Sequence, residues 1–269
     1  MKYQALAIDL DGTLLTGEDL PAANLEAVRK ARDAGFQIII ATARWKEMAL
    51  GIAGEIGLTG PVIACSGAQV YEPATDTDVF DERLPADFTQ ELFRICNAER
   101  CIATVTVGDR VLLKLDGEPD MTAMGAEMHW VPELILEPHN LPRIGAIQGT
   151  KANARIKDEL QARFSDSVNI FDSIGPTGRI IITITGKAAT KGAALSAACA
   201  HLDLEPSTVV AFGDAENDLA MFDIAGAAVA MGQAEDQVKE AATFVSLRHD
   251  ECGVAYAIDH LLANGDFTG

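Results

Sequence analysis

The chain offers little for sulfur chemistry. Its five cysteines, Cys65, Cys96, Cys101, Cys199 and Cys252, are odd in number and form no CxxC pair. That argues against a disulfide framework and against a structural zinc site, so buried free thiols are the expectation. No run approaches the roughly 18 apolar residues of a membrane span, and Met1-Lys2-Tyr3-Gln4 lacks the basic region and apolar segment of a secretory signal. A soluble, intracellular, cytoplasmic protein is expected. Basic residues are scarce, 21 Lys and Arg against 40 Asp and Glu for a net charge of −19. Nucleic acid and anionic membranes, which select basic patches, are therefore disfavoured partners, and any phosphate site needs a local lysine or a metal. His129, His139, His201, His249 and His260 show no ligand spacing and read as surface or structural. Gly186-Lys187 lacks the upstream glycine and following hydroxyl of a P-loop. Counted from Asp9, an EF-hand loop would need glycine where Leu14 stands. No internal repeat or low-complexity tract occurs.

What is present is apolar bulk: 48% of 269 residues, enough for one large domain or two modest ones. Residues 3–8 read as a buried strand that ends abruptly in Asp9-Leu10-Asp11-Gly12-Thr13. A helix follows from Pro21 through Ala31 to Gly35, then a strand over Phe36–Ala41 closing on Thr42-Ala43-Arg44. The next helix carries Met48, Leu50, Ile52 and Ile56, and a third strand over Pro61–Cys65 ends in Ser66-Gly67-Ala68. Alternation of this kind predicts an α/β fold with a doubly wound parallel sheet, whose ligands bind beyond the carboxyl ends of the strands.

The texture changes near Tyr71, where Glu72-Pro73-Ala74-Thr75-Asp76 is turn-rich. Leu84–Ala98 reads as an amphipathic helix, and Cys101–Val107 with Arg110–Leu115 as a hairpin turning at Gly108-Asp109. Four prolines between 116 and 142 leave room for short elements only, with one helix expected at Met121–Glu127. A strand at Arg143–Gln148, a helix at Ala152–Phe164 and strands at Val168–Phe171 and Arg179–Thr185 complete an inserted α+β unit over 83–187. The parallel pattern resumes with a helix at Lys191–His201 and a strand at Thr208–Phe212 ending in Gly213-Asp214-Ala215-Glu216-Asn217-Asp218. Helix 219–224, strand 227–231, helix 234–241, strand 243–245 and helix 254–262 follow. The core is thus discontinuous, 1–82 and 188–269.

Asp9, Asp11, Asp214 and Asp218 are acids at strand ends of one expected sheet. Singly, Asp9 and Asp11 are equally an Asx-type turn, whereas Asp214, Asn217 and Asp218 alone read first as helix caps and Lys191 alone reads first as a solvated first-turn lysine. Together, carboxylates at one sheet edge repel unless a cation is present, and Mg²⁺ takes oxygen ligands while keeping room for a phosphate. Asp9-Leu10-Asp11-Gly12-Thr13, Thr42, Lys191-Gly192 and Gly213-Asp214-Ala215-Glu216-Asn217-Asp218 resemble, in order, the four motifs of the haloacid dehalogenase-like phosphatases. The Cof-type branch, with an α+β cap inserted between the second and third motifs, is the nearest in organisation.

That resemblance implies an HAD-like core with a substrate-selecting cap and a hydrolase of small phosphomonoesters such as sugar phosphates. It implies Asp9 as nucleophile forming an aspartyl-phosphate, and Asp11 as general acid and base. Leu10, Thr42, Ala43, Lys191 and Asn217 are implied to hold the phosphate. Asp9, the backbone carbonyl of Asp11, Asp214 and, in the outer sphere, Asp218 are implied to hold Mg²⁺. Ala43 stands where the family usually has glycine, and Ser66 where it often has asparagine. Arg44, Arg110 and Lys114 are further candidates to meet substrate, although a solvated hairpin face is the plainer expectation for the last two. A phosphomutase of the phosphomannomutase type and a non-catalytic phosphate-binding module are the alternatives.

Overall fold

The structure is a computed structural model describing residues 2–117, 119, 127–174 and 178–267. In chain order its main elements are β1 (Ala5–Ile8), α1 (Ala22–Asp33), β2 (Gln37–Ala41), α2 (Lys46–Ile56), β3 (Val62–Ala64), β4 (Gln69–Glu72) and β5 (Thr77–Asp81). Then come α3 (Ala86–Ala98), β6 (Ile102–Val107), β7 (Arg110–Lys114), β8 (Met128–Val131), β9 (Ile144–Gln148), α4 (Thr150–Ile156), β10 (Val168–Ile174) and β11 (Ile180–Gly186). The chain finishes with α5 (Lys191–His201), β12 (Val209–Gly213), α6 (Leu219–Phe222), β13 (Ala227–Ala230), α7 (Asp236–Ala241), β14 (Phe244–Val245) and α8 (Gly253–Asn264). The chain divides into two compact units, Met1–Phe80 with Thr190–Gly269, and Asp81–Ala189.

In the first unit the described residues form an eight-stranded sheet in the order β14-β13-β12-β1-β2-β3-β4-β5. β1 lies between β12 and β2 and is parallel to both, with Ala5 opposite Val209 on one side and Gln37 on the other. Its four residues are all buried because helices cover both faces. The period of two then sorts the side chains. Leu6 and Ile8 join the core formed with α1, α2 and α8, whereas the small Ala5 and Ala7 face the core formed with α5 and α6. Complete burial of Leu6 and Ile8 contributes about 1.5–3 kcal/mol each. β3 and β4 pair antiparallel. Neither β4 nor β5 is expected from the sequence, where this stretch reads as turns.

In the second unit a six-stranded sheet has the order β10-β11-β9-β6-β7-β8. One face is covered by α3 and α4, whose Phe88, Leu92, Ile95, Ala152 and Ile156 pack with Ala103, Val105, Ile147, Ile182 and Ile184. Phe88 meets Phe164 edge to face at 5.2 Å. The expected hairpin forms as β6 and β7. β8, absent from the sequence reading, lies parallel to β7. The long helix expected over 152–164 is shorter, because α4 passes into a π turn at Lys157–Gln161. Of the helix expected at 121–127, residues 121–126 lie outside the described residues. Lys114 corrects the expectation of a solvated hairpin face: it is 4% exposed, and its Nζ donates to the Glu99 carbonyl at 3.2 Å and to Asp116 at 3.3 Å. Arg110 is solvated and paired with Glu137 at 2.8 Å. Among the described residues all five cysteines are free, Cys252 alone being half-buried. No described helix is long and apolar enough to cross a membrane.

Candidate active site

Parallel strands β1, β2 and β12 all run the same way, so the residues that follow them gather beyond one edge of the sheet. Asp9 is the first residue past β1, and its N–H still donates to Phe212 O of β12 at 3.1 Å. The chain then turns tightly, with Thr13 N–H on Leu10 O and Leu14 N–H on Asp9 O, each at 3.2 Å. Gly12 makes this possible at a φ of +77°, and a Cβ there would overlap the Asp214 carboxylate.

Asp214 follows Gly213, the last residue of β12. A Cβ on Gly213 would overlap the Asp218 side chain, so glycine is what lets Asp218 fold back beneath the strand end. Its Oδ2 accepts the N–H groups of Asp214 (3.0 Å) and Ala215 (3.1 Å). Lys191 opens α5, whose N-cap is Thr190, with Oγ1 accepting Ala193 N–H at 3.0 Å. The ammonium is buried, 1% exposed, and bridges Asp9 Oδ1 at 2.6 Å and Asp218 Oδ1 at 2.7 Å. The reading of Lys191 as a solvated first-turn residue is thereby excluded.

Three carboxylates, Asp9, Asp214 and Asp218, offer oxygens within 4.8 Å of one another, and Lys191 pairs with only the first and last of them. Burial pushes Asp9 up to about 8; Lys191 opposes that, and the Asp218 and Asp214 charges add to it. Asp214 is held above the usual carboxylate range by burial and then by Asp218, against the Gln233 hydrogen bond and Lys191. Burial disfavours the Lys191 ammonium, but Asp218 and Asp9 outweigh it and the lysine holds its proton more firmly than usual. Buried carboxylates short of positive charge are a hard-oxygen donor set that fits a divalent cation such as Mg²⁺.

Asp11 points elsewhere. It is about half exposed, and Arg44 grips it through Nη2 (2.6 Å) and Nε (3.0 Å) while its Nη1 reaches Glu18 at 3.0 Å. Arg44 is therefore engaged by acids of its own unit. Thr42, fully buried, accepts the Arg44 N–H on Oγ1 at 3.1 Å, which leaves its own proton to donate. The amides of Leu10 and Ala43 donate to no acceptor among the described residues. Asn217 is exposed. Ser66 adopts a left-handed φ of +57° in a short turn after β3, where its N–H binds Thr42 O at 3.1 Å. Two partners escape the sequence reading. One is Arg44 as the holder of Asp11; the other is Gln233, whose Nε2 donates to Gly12 O at 2.6 Å and Asp214 Oδ2 at 3.2 Å. Neither lies in a spacing that sequence alone can interpret.

A doubly wound core carrying a buried lysine among strand-end carboxylates, with an inserted α+β unit, defines a hydrolase class. The family model described as haloacid dehalogenase-like hydrolase matches residues 6–258. A 5-amino-6-(5-phospho-D-ribitylamino)uracil phosphatase of Bacillus subtilis (strain 168) is 30% identical over 257 residues, covering 95% of this chain and 94% of its own length. The pyridoxal phosphate phosphatase of Escherichia coli (strain K12) is 26% identical over 269 residues, covering 91% and 93%. In fold, a haloacid dehalogenase-like hydrolase from Bacteroides thetaiotaomicron superposes with a TM-score of 0.82 at 22% identity over 96% of this chain and 99% of that one. The chain belongs to the haloacid dehalogenase-like hydrolases, in their Cof-type branch. Both of these relatives are named as phosphatases.

Proposed function

We propose that the chain is a cytoplasmic, Mg²⁺-dependent phosphatase that hydrolyses small phosphorylated metabolites, sugar phosphates or similar compounds, through an aspartyl-phosphate on Asp9. The observation that carries this reading is the Lys191 ammonium locked between Asp9 Oδ1 and Asp218 Oδ1. It leaves Asp9 Oδ2 for attack and places fixed positive charge beside it, as phosphoryl transfer requires. In the first step Asp9 forms an O–P bond as the P–O bond to the leaving oxygen breaks, and Asp11 gives that oxygen a proton. In the second, Asp11 takes a proton from the water that attacks phosphorus, releasing inorganic phosphate and restoring the Asp9 carboxylate. The free chain has Asp11 paired with Arg44, so proton delivery calls for that pairing to open once substrate arrives.

Thr42 Oγ1, the amides of Leu10 and Ala43, Lys191 and Asn217 are assigned to the phosphoryl oxygens. Asp9, the carbonyl of Asp11 and Asp214 are assigned to Mg²⁺, with Asp218 behind them; the ion would supply charge that lowers the repulsion between carboxylates and phosphate. Residues 1–82 and 188–269 are assigned the chemistry, and 83–187 the choice of substrate. Relatives named for small phosphorylated compounds, a phosphoribitylaminouracil and pyridoxal phosphate, support small metabolites as the substrate class.

A panel of phosphomonoesters with Mg²⁺, run for the native chain and for Asp9→Asn, tests the reading. Phosphate release by the first and none by the second is expected. Turnover retained in Asp9→Asn overturns the nucleophile, an isomerised phosphosugar indicates a mutase, and no release from any ester indicates a binding module.

A further inference from the structure

Gln233 lies just past β13, and one side-chain amide there joins three loops. Both N–H groups are used, on Gly12 O (2.6 Å) and Asp214 Oδ2 (3.2 Å), and Oε1 accepts the His249 N–H at 3.0 Å. The amide cannot be turned over, because the reverse orientation sets oxygen against two acceptors and nitrogen against a donor. Its hydrogen-bonding capacity is thus spent in one direction.

What this fixes is the spacing of two loops that the proposed metal site draws upon. Gly12 O is the carbonyl next to that of Asp11, and Asp214 Oδ2 belongs to a carboxylate that Thr13 Oγ1 touches only distantly, at 3.4 Å on Oδ1. Asp214 is more exposed than Asp9 and Asp218, and no lysine or arginine contact is formed by its side chain among the described hydrogen bonds. Gln233 is therefore the closest donor holding it in place. We propose that Gln233 is a positioning residue for cation binding, setting the separation between the Asp214 carboxylate and the carbonyls of residues 11–12. The inference rests on the Mg²⁺ reading above.

Residues that orient metal ligands through a hydrogen bond typically change metal affinity about 10–100-fold when replaced. The test titrates Mg²⁺ calorimetrically into the full chain without substrate, for the native protein, Gln233→Met and Gln233→Asn. Met fills the same length without donating, and Asn keeps an amide one methylene short of spanning both acceptors. The expected order of Kd is native, then Asn, then Met, with Met weaker by about tenfold or more and kcat recovering at saturating Mg²⁺. Thermal midpoints in the absence of metal report the structural share of the change, and Gln233→Asn serves if Gln233→Met does not fold. A Kd in both variants within about twofold of native, well below the expected effect, overturns the inference even if the midpoints fall. A native chain that binds no Mg²⁺ overturns the metal reading and the inference together, and that failure is distinguished by appearing before any substitution is made.

Discussion

Replacing Lys191 with Met removes one charge from the centre of the site and leaves most of the packed stem. Asp9 and Asp218 then lose their shared cation, previously at 2.6 and 2.7 Å. Breaking a buried ion pair costs about 3–5 kcal/mol when the orphaned charge stays ionised. Here the cost is capped by proton uptake, because Asp9 is already pushed up to about 8. Removing Lys191 raises the Asp9 pKa further, so the loss should be small at pH 5.5 and larger, though below the full figure, at pH 8.5. With a urea slope of about 2 kcal/mol/M, the metal-free midpoint at pH 8.5 falls by at most about 1.5–2.5 M, and by less than about half of that at pH 5.5. Turnover on a simple aryl phosphate should drop about 10²–10³-fold, the usual cost of losing one fixed electrostatic donor. A midpoint within about 0.3 M of native at pH 8.5, where the lost pair is worth kilocalories, would refute Lys191 as the counter-charge of the carboxylates.

Asp9 and Asp214 have folded-state pKa values above their unfolded ones, so the metal-free folded chain binds extra protons. That contribution is complete below about pH 4 and is lost as pH climbs towards 8. The metal-free thermal midpoint should therefore fall between pH 5 and 8.5, and saturating Mg²⁺, at about 100 times its Kd, should restore about 2.7 kcal/mol, most of it at the alkaline end. A midpoint that rises with pH and ignores Mg²⁺ would contradict this. Gly12→Ala forces a Cβ onto a φ of +77° and into the Asp214 carboxylate; a loss of about 2–3 kcal/mol in urea unfolding is expected, together with weaker Mg²⁺ binding, and an unchanged midpoint would show that the loop relaxes freely.

The core was readable because its strands are short apolar runs stopped by polar residues. Ile8 gives way to Asp9, Ala41 to Thr42 and Gly213 to Asp214, and each stop lies beyond the same sheet edge. The α+β insertion was readable from its hairpin. β4 and β5 were not: Gln69, Glu72, Thr77, Asp78 and Asp81 are too polar for a strand pattern, and the pairing of β3 with β4 supplies what local propensity does not. β8, Met128–Val131, was hidden instead by the neighbouring prolines, which leave room for short elements only. Residue identities pointed to Lys191 and Asp218, but their burial and mutual contact arise only when α5 meets the end of β12. Gln233 and the Arg44 grip on Asp11 depend on side-chain reach across loops, which spacing in sequence does not encode.

The position of β1 has a consequence for synthesis. It occupies the middle of the sheet, yet its neighbour β12 lies about 200 residues downstream, beyond the whole inserted unit. At about 5–20 residues per second, the N-terminal strand waits on the order of 10–40 s for that partner to be made. During this interval Ala5–Ile8 has an open edge, the condition under which strands pair with the wrong chain. The wholly buried residues of β1 are thus made long before the strand that closes their open edge.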